Sequence, residues 1–213
     1  MIAPIASLKK QEIVWLSQHR CVHKHTFLEH YSCFPGRKAA KVLFIDIETS
    51  PNLGWGYGKY ETTFIKYEKE WVIMCFGYKW LGGKTEVVRG PEHHMVEHIR
   101  RLLDEADVVI AHNGDKFDLR KINTRIAYYS IQPPSKYKSI DTLKKVRKHF
   151  GLNSNSLGDV GEYFGLGKKL EPPKENWKRC LDGNKKAWKI MLKYNRQDVD
   201  LLAKIYHKIE PWL

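Results

Sequence analysis

VLFIDIET, residues 42–49, is an apolar run of strand length that carries two acidic residues near its end. Asp46 and Glu48 are two positions apart, so a strand points both side chains to the same face. Two carboxylates on one face of a buried strand are costly unless a cation compensates them, and oxygen ligands of this kind suit Mg²⁺ or Mn²⁺. The alternative is that the strand ends in water, or that the acids pair with some of the many lysines.

From Lys41 onward β and α patterns alternate, which predicts an α/β fold with VLFIDIET as its central strand. Residues 71–81 and 85–90, separated by Gly82-Gly83, predict a hairpin in an antiparallel part of the sheet. We predict short strands at 107–113 and 138–140, and helices at 93–106, 117–129, 142–150, 157–164 and 185–209. The segment from Pro51 to Lys69, rich in Gly, Tyr and Lys, predicts a mobile surface loop beside the acids.

The charge balance indicates the class of partner. Lys and Arg number 37 against 24 Asp and Glu, a net charge of +13, so the surface should attract polyanions, of which nucleic acid is the obvious candidate. A generally basic, soluble surface is the alternative. No apolar run approaches the roughly 20 residues of a membrane helix, and the N-terminus lacks the order of a secretory signal, so we expect a cytoplasmic protein.

The first 40 residues differ in character and are interpreted as an N-terminal appendage to a domain spanning residues 41–213. They contain a dense group of potential zinc ligands, namely Cys21, His23, His30 and Cys33, with His25 able to replace one histidine. A structural Zn²⁺ would compensate for an appendage too small to form its own core. Scattered surface histidines and buried thiols are the alternative.

Further acids are predicted to approach the first pair. Asp118 opens a predicted helix directly after a predicted strand, and Asp198 lies in the last helix with Tyr194 four residues earlier on the same face. Asp115 and Asp200 are competing acids; Asp200 lies on another helix face from Asp198, and Asp115 is predicted to cap its helix. For Tyr194 the alternative is a core aromatic residue.

Three motifs, taken in order, resemble those of the DEDD, or DnaQ-like, 3′→5′ exonucleases, which have an RNase H-like fold. Asp46-Ile47-Glu48-Thr49 is similar to the first motif, D-x-E-T. His112-Asn113 followed by Phe117-Asp118 is similar to the second, and Tyr194 to Asp198 is similar to the third in its Y-x-x-x-D form. Each motif alone is weak, but their combination is specific.

The resemblance covers about Lys41 to Ile209 and implies a mixed β-sheet flanked by helices. Lys193 stands where another branch of the family has a histidine, so the chain resembles the Tyr-type (DEDDy) branch, which includes polymerase proofreading domains, Werner-type exonucleases and the RNase D group.

The resemblance also implies a two-metal hydrolysis of phosphodiester bonds that releases nucleoside 5′-monophosphates. Asp46 would bridge two Mg²⁺ or Mn²⁺ ions, and Glu48 and Asp198 would complete the shell of one. Asp118 would support the second ion largely through water, and Tyr194 would orient the attacking water.

Residues that would hold the substrate are implied in the same way. Thr49, Leu53, Asn113 and Phe117 are similar in position to family residues that cradle the terminal nucleotide, although Phe117 is equally compatible with an ordinary core position. Basic residues that could follow phosphates, although we expect only a minority to do so, are Arg120, Lys121, Arg125, Lys144, Lys145, Arg147 and Lys148. Candidate stacking residues are Trp55, Tyr57 and Tyr60. Asp141 is similar to a family D-T pair, but its position predicts an N-cap, and we assign it no catalytic role.

The sequence therefore predicts an exonuclease that acts on 3′ ends of DNA, preferentially single-stranded, in replication or repair, with any polymerase or helicase on a separate partner. An RNase D-like exoribonuclease is the first alternative, because the same acids and tyrosine serve both. A catalytically silent nucleic-acid-binding module is the second alternative, although the complete acid set argues against it.

Overall fold

The computed structural model describes residues 40–58 and 63–213. The strands are β1 Val42–Thr49, β2 Leu53–Trp55, β3 Lys66–Lys69, β4 Ile73–Trp80, β5 Glu86–Val88, β6 Val108–Ala111 and β7 Lys138–Asp141. The helices are α1 Glu92–Glu105, α2 Asp118–Tyr128, α3 Thr142–His149, α4 Leu157–Tyr163, α5 Glu175–Leu181 and α6 Lys185–Ile209, followed by a 3₁₀ turn, Glu210–Trp212. The predicted zinc ligands and Tyr60 lie outside the described residues.

A five-stranded mixed sheet in the order β5-β4-β1-β6-β7 forms the centre of the molecule. β1 pairs antiparallel with β4 and parallel with β6, and β6 continues parallel to β7. The predicted central strand, the predicted hairpin and the mixed α/β architecture are therefore confirmed.

The two faces of β1 enter different cores, because successive side chains of a strand alternate. Leu43, Ile45 and Ile47 pack with α1 and α2 on one face. Val42 and Phe44 pack on the other face with α4 and α6. Asp46 and Glu48 continue this second series, so the strand directs both carboxylates toward the side that α6 covers.

A partly buried acid links β4, α1 and α2 around the first core. Glu92, at the start of α1, accepts a hydrogen bond from the backbone N–H of Ile73 at 2.7 Å and another from the Tyr129 hydroxyl at 2.7 Å. The Arg125 guanidinium pairs with the same carboxylate and is itself buried. Arg125 therefore supports the fold, and the prediction that it could follow substrate phosphates is wrong.

The five helices predicted above are all present, and none of their ends differs from the prediction by more than one residue. Asp141 caps α3, as predicted, because its carboxylate accepts hydrogen bonds from the backbone N–H groups of Leu143 and Lys144.

Within the segment predicted as a loop, β2 and β3 form a separate two-stranded ribbon. The sequence reasoning also missed α5. Among the helices that the structure describes, none is both long and apolar enough to span a membrane.

Gly77 allows α6 to approach the sheet closely. It lies on β4 opposite Asp46, and a Cβ atom there would stand 2.7 Å from the Asn195 Oδ1 and 2.8 Å from the Val199 Cγ2. The second contact involves a β-branched side chain that cannot easily change rotamer. The absence of a side chain at Gly77 therefore sets the spacing between β4 and the middle of α6.

We predict that Gly77→Ala lowers the free energy of unfolding by about 1–3 kcal/mol, because the added methyl group overpacks this contact. Urea denaturation followed by circular dichroism measures the change. Gly90→Ala is the matched control, since a Cβ there meets no atom within 4 Å, and it should stay within about 0.5 kcal/mol of the parent. Equal unfolding midpoints for Gly77→Ala and the parent would contradict the packing argument.

Candidate active site

Three carboxylates from two elements meet where α6 crosses the sheet. One oxygen each from Asp46, Glu48 and Asp198 lies within 4.8 Å of the others, a spacing at which one cation could contact all three. Glu48 and Asp198 are buried, whereas Asp46 keeps some contact with solvent. Local geometry explains the convergence: Asp46 and Glu48 share one strand face, and α6 lies over that face.

Asp118 lies beside this group at the start of α2. Its side chain is buried, and its Oδ1 accepts a hydrogen bond from the backbone N–H of Ile47 at 3.0 Å. This bond ties the start of α2 to β1 between Asp46 and Glu48. We call Asp46, Glu48, Asp118 and Asp198 the carboxylate cluster.

Burial and mutual repulsion disfavour ionisation throughout the carboxylate cluster. Burial raises the pKa of Asp46 well above its ordinary value, and the charges of Asp118 and Glu48 raise it further. Burial raises the pKa of Glu48 to about 8, with a further contribution from Asp198. Burial also raises the pKa of Asp118 to about 7, despite its bond from Ile47. Full ionisation at neutral pH therefore needs a compensating cation.

Lys169 supplies part of this positive charge. Its ammonium lies 2.8 Å from the Asp198 Oδ2 and 4.9 Å from the centre of the Tyr194 ring. Burial nevertheless keeps the pKa of Asp198 raised. The other oxygen of Asp198, Oδ1, is buried and has no hydrogen-bond partner among the described residues. Sequence reasoning missed Lys169, which lies in an irregular segment without periodicity.

Two further side chains orient the acids. Asn195 donates from Nδ2 to the Asp46 Oδ2 at 2.7 Å, and Trp177 on α5 donates from Nε1 to the Glu48 Oε2 at 3.1 Å. Neither residue was predicted. Asn195 is three residues before Asp198 and so shares its helix face, a signal that could have revealed it. The sequence contains no comparable signal for Trp177.

Tyr194 combines a packing contact with a polar one. Its ring meets that of Trp177 edge to face, with 5.9 Å between centroids, while its hydroxyl interacts with Asp198. Burial and the nearby carboxylates raise the pKa of Tyr194 strongly, so its hydroxyl stays protonated at neutral pH. The hydroxyl can therefore donate or accept a hydrogen bond at the carboxylate cluster, but it cannot act as a phenolate base.

A cleft of about 400 Å³ opens beside Asp46 and is lined by Asn113, Arg147 and Lys169 among others. Asn113 adopts a left-handed backbone conformation with φ of 64°, which asparagine tolerates better than most residues. Its N–H donates to the Asp141 Oδ1 at 2.9 Å, so the α3 cap also fixes this turn.

His112 also lines the cleft. Its two ring nitrogens lie 2.9 Å from the Thr142 hydroxyl and 2.9 Å from the Asn155 carbonyl, and burial lowers its pKa. The ring is thus a neutral, structurally engaged group.

The four residues predicted to hold substrate take up different positions. Asn113 lies in the cleft beside Asp46, and Thr49 ends β1 at an irregularity in its pairing with β4. Leu53 lies on β2 and is largely exposed. Phe117 is 39% exposed, so the structure does not support the alternative that it is an ordinary core residue.

The two competing acids are engaged elsewhere. Asp115 binds the Lys144 ammonium at 2.6 Å and the Ser139 hydroxyl at 2.5 Å. The prediction that Asp115 caps α2 is wrong, since that helix has no side-chain cap. Asp200 accepts a hydrogen bond from the Thr85 hydroxyl at 2.5 Å, away from the carboxylate cluster.

No curated protein matches the chain in sequence. Among solved structures, the chain is similar to the family B DNA polymerase from the hyperthermophilic archaeon Pyrobaculum calidifontis, with a TM-score of 0.61 and 17% identity. The similarity covers 82% of this chain but only 25% of that one, and at this identity it shows a shared fold. The family model of the RNase_H superfamily matches residues 43–210. The chain therefore belongs to the RNase_H superfamily.

Proposed function

We propose that this protein is a metal-dependent 3′→5′ exonuclease that hydrolyses phosphodiester bonds at the 3′ ends of single-stranded DNA. The observation that carries the proposal is the carboxylate cluster, which gathers more negative charge than its buried position tolerates without cations. The RNase H-like fold supports nuclease chemistry, and the basic net charge of +13 suits a nucleic-acid substrate.

The donor set fits Mg²⁺ or Mn²⁺. The ligand atoms of the carboxylate cluster are oxygens, which these hard cations prefer. The buried, unpartnered Oδ1 of Asp198 offers a lone pair that no described protein group uses. Asp46, Glu48 and Asp198 would hold one ion, and Asp46 with Asp118 would support a second. When bound, the pair of ions activates water and stabilises the charge that develops on the leaving 3′-oxygen.

The surrounding residues would position the reacting groups. Asn195 fixes one oxygen of Asp46, a residue that also lines the cleft. The protonated hydroxyl of Tyr194, held beside Asp198, would orient the attacking water without removing its proton. Lys169, which lines the cleft, would face the substrate phosphate and limit the repulsion between phosphate and acids.

The proposed direction of cleavage rests on the three motifs, and the proposed preference for DNA rests on the likeness to a DNA polymerase fold. Action from the 3′ end would release nucleoside 5′-monophosphates. In a replication or repair setting, the domain formed by residues 41–213 would work together with a polymerase or helicase. An RNase D-like exoribonuclease would use the same residues, so the choice between DNA and RNA belongs in the first experiment.

We predict that the purified protein with Mn²⁺ or Mg²⁺ releases mononucleotides from the 3′ ends of labelled single-stranded DNA. Asp46→Asn should lower the rate by at least about a hundredfold, because it removes charge that the cations need. Gel analysis of 3′- and 5′-labelled DNA and RNA in parallel gives the polarity and the preferred sugar.

Asp200→Asn is the matched control, since Asp200 lies on the same helix as Asp198 but outside the carboxylate cluster. Full activity is expected for this variant, and EDTA should abolish activity in all samples. Internal cleavage products, or an Asp46→Asn variant as active as the parent, would refute the proposal.

We predict that Tyr194→Phe lowers kcat by about a hundredfold while the affinity for Mn²⁺ and for substrate stays nearly unchanged. The ring that packs on Trp177 remains, and only the hydroxyl beside Asp198 is lost. Single-turnover kinetics and fluorescence binding separate the two effects. Tyr206→Phe is the control and should leave kcat unchanged. It removes another tyrosine hydroxyl of α6, which donates to Glu210. If Tyr194→Phe retains the parent kcat, Tyr194 has no role in the chemical step.

A further inference from the structure

An unusual concentration of exposed apolar side chains occurs on the ribbon formed by β2 and β3. We call residues 53–58 and 63–69 the aromatic ribbon. Its exposed large hydrophobic residues are Leu53, Trp55, Tyr57, Phe64, Ile65 and Tyr67. A two-stranded ribbon gains little from burial by itself, and exposed apolar patches of this kind mark interaction surfaces.

The aromatic ribbon has a defined shape. The Trp55 indole is 63% exposed, yet its Nε1 donates to the Glu68 Oε1 at 2.5 Å across the two strands. The Phe64 ring lies against Gly54, because a Cβ atom at Gly54 would stand only 2.5 Å from that ring. The centroid of the Phe64 ring lies 5.0 Å from the centroid of the Tyr67 ring. These contacts hold the rings in place before any partner arrives, which lowers the entropic cost of binding.

The aromatic ribbon is connected in sequence to β1, the strand that carries Asp46 and Glu48. It leaves β1 just after Thr49, and at its base Asn52 accepts a hydrogen bond from the backbone N–H of Trp71 at 2.9 Å. The ammonium of Lys121 lies 3.6 Å above the Trp71 ring and 5.1 Å from the centre of the Phe117 ring. Phe117 directly precedes Asp118. Contacts of Phe117, Lys121 and Trp71 therefore connect the residue before Asp118 with the base of the aromatic ribbon.

The chemistry of this surface favours one kind of occupant. Every nucleobase has an apolar π-face that can stack on an aromatic side chain, and the attached phosphates are attracted by a chain with a net charge of +13. Bases within a duplex already stack on one another, so only unpaired bases can use such a surface. The described charged residues of the aromatic ribbon are two lysines, Lys66 and Lys69, and one acid, Glu68, so the ribbon is slightly basic, which suits both base stacking and contact with the attached phosphates.

We propose that the aromatic ribbon binds the single-stranded part of the nucleic-acid substrate outside the carboxylate cluster, by stacking of unpaired bases on Trp55 and Tyr67. This inference rests on the proposed function for the location of the 3′ end. It gives the protein a preference for long unpaired 3′ tails over dinucleotides and blunt duplexes.

The test measures binding and hydrolysis separately. Fluorescence anisotropy with a labelled single strand of about 20 nucleotides, in EDTA, reports binding without cleavage. Trp55→Ala should weaken this binding about tenfold, and adding Tyr67→Ala should weaken it further. Hydrolysis of a dinucleotide with Mn²⁺ should stay at the parent rate in both variants, because the proposal places only bases further from the 3′ end on Trp55 and Tyr67.

Two controls separate stacking from damage to the fold. Trp55→Phe keeps an aromatic face but loses the hydrogen bond to Glu68, and it should retain most of the affinity. Trp212→Ala should not change binding. It removes another exposed tryptophan, which lies near the C-terminus and contacts Phe150. Unchanged affinity in the Trp55→Ala, Tyr67→Ala double variant would overturn the inference, as would equal losses on the long strand and the dinucleotide. Failure of the parent to hydrolyse any substrate would refute the proposed function, while the EDTA binding series would still decide the role of the aromatic ribbon.

Discussion

The crowding of four carboxylates into one buried place is the constraint on which the rest of this structure depends. Asp46 and Glu48 are directed to the same side by the alternation of β1, and α6 closes over them with Asp198. Burial makes each charge costly, and proximity adds repulsion, so the pKa values of the group rise together. A fold that only needed stability would not place acids here, and this cost supports the proposal of a cation-dependent function.

The packing around the carboxylate cluster serves this arrangement. Gly77 lets α6 lie close to β4, and the same stretch of helix then brings Asn195 to Asp46. Trp177 reaches Glu48 from α5, while Lys169 reaches Asp198 from the preceding irregular segment. The acids are thus held by specific donors, which is the preorganisation that the proposed catalysis would require.

Features with local periodicity could be predicted from the sequence. The alternation in residues 42–49 predicted the central strand and the shared face of Asp46 and Glu48, and the spacing of Tyr194 and Asp198 placed them on one side of α6. Features set by tertiary contacts could not be predicted. Lys169 and Trp177 reach the cluster from segments without a pattern, and Asp115 binds Lys144, 29 residues away, instead of capping α2. The strands β2 and β3 were not predicted, because the glycines and tyrosines of this segment are typical of a loop.

The most direct test of the central claim is calorimetric titration of the protein with Mn²⁺ in two buffers of different ionisation enthalpy. Because the pKa of Asp118 is raised to about 7 and that of Glu48 to about 8, these groups are partly protonated near neutral pH, and metal must displace their protons. The account predicts proton release on binding, affinity that rises from about pH 6 to about pH 8, and loss of binding in Asp198→Asn. Binding without proton release, with the same affinity in Asp198→Asn, would contradict it.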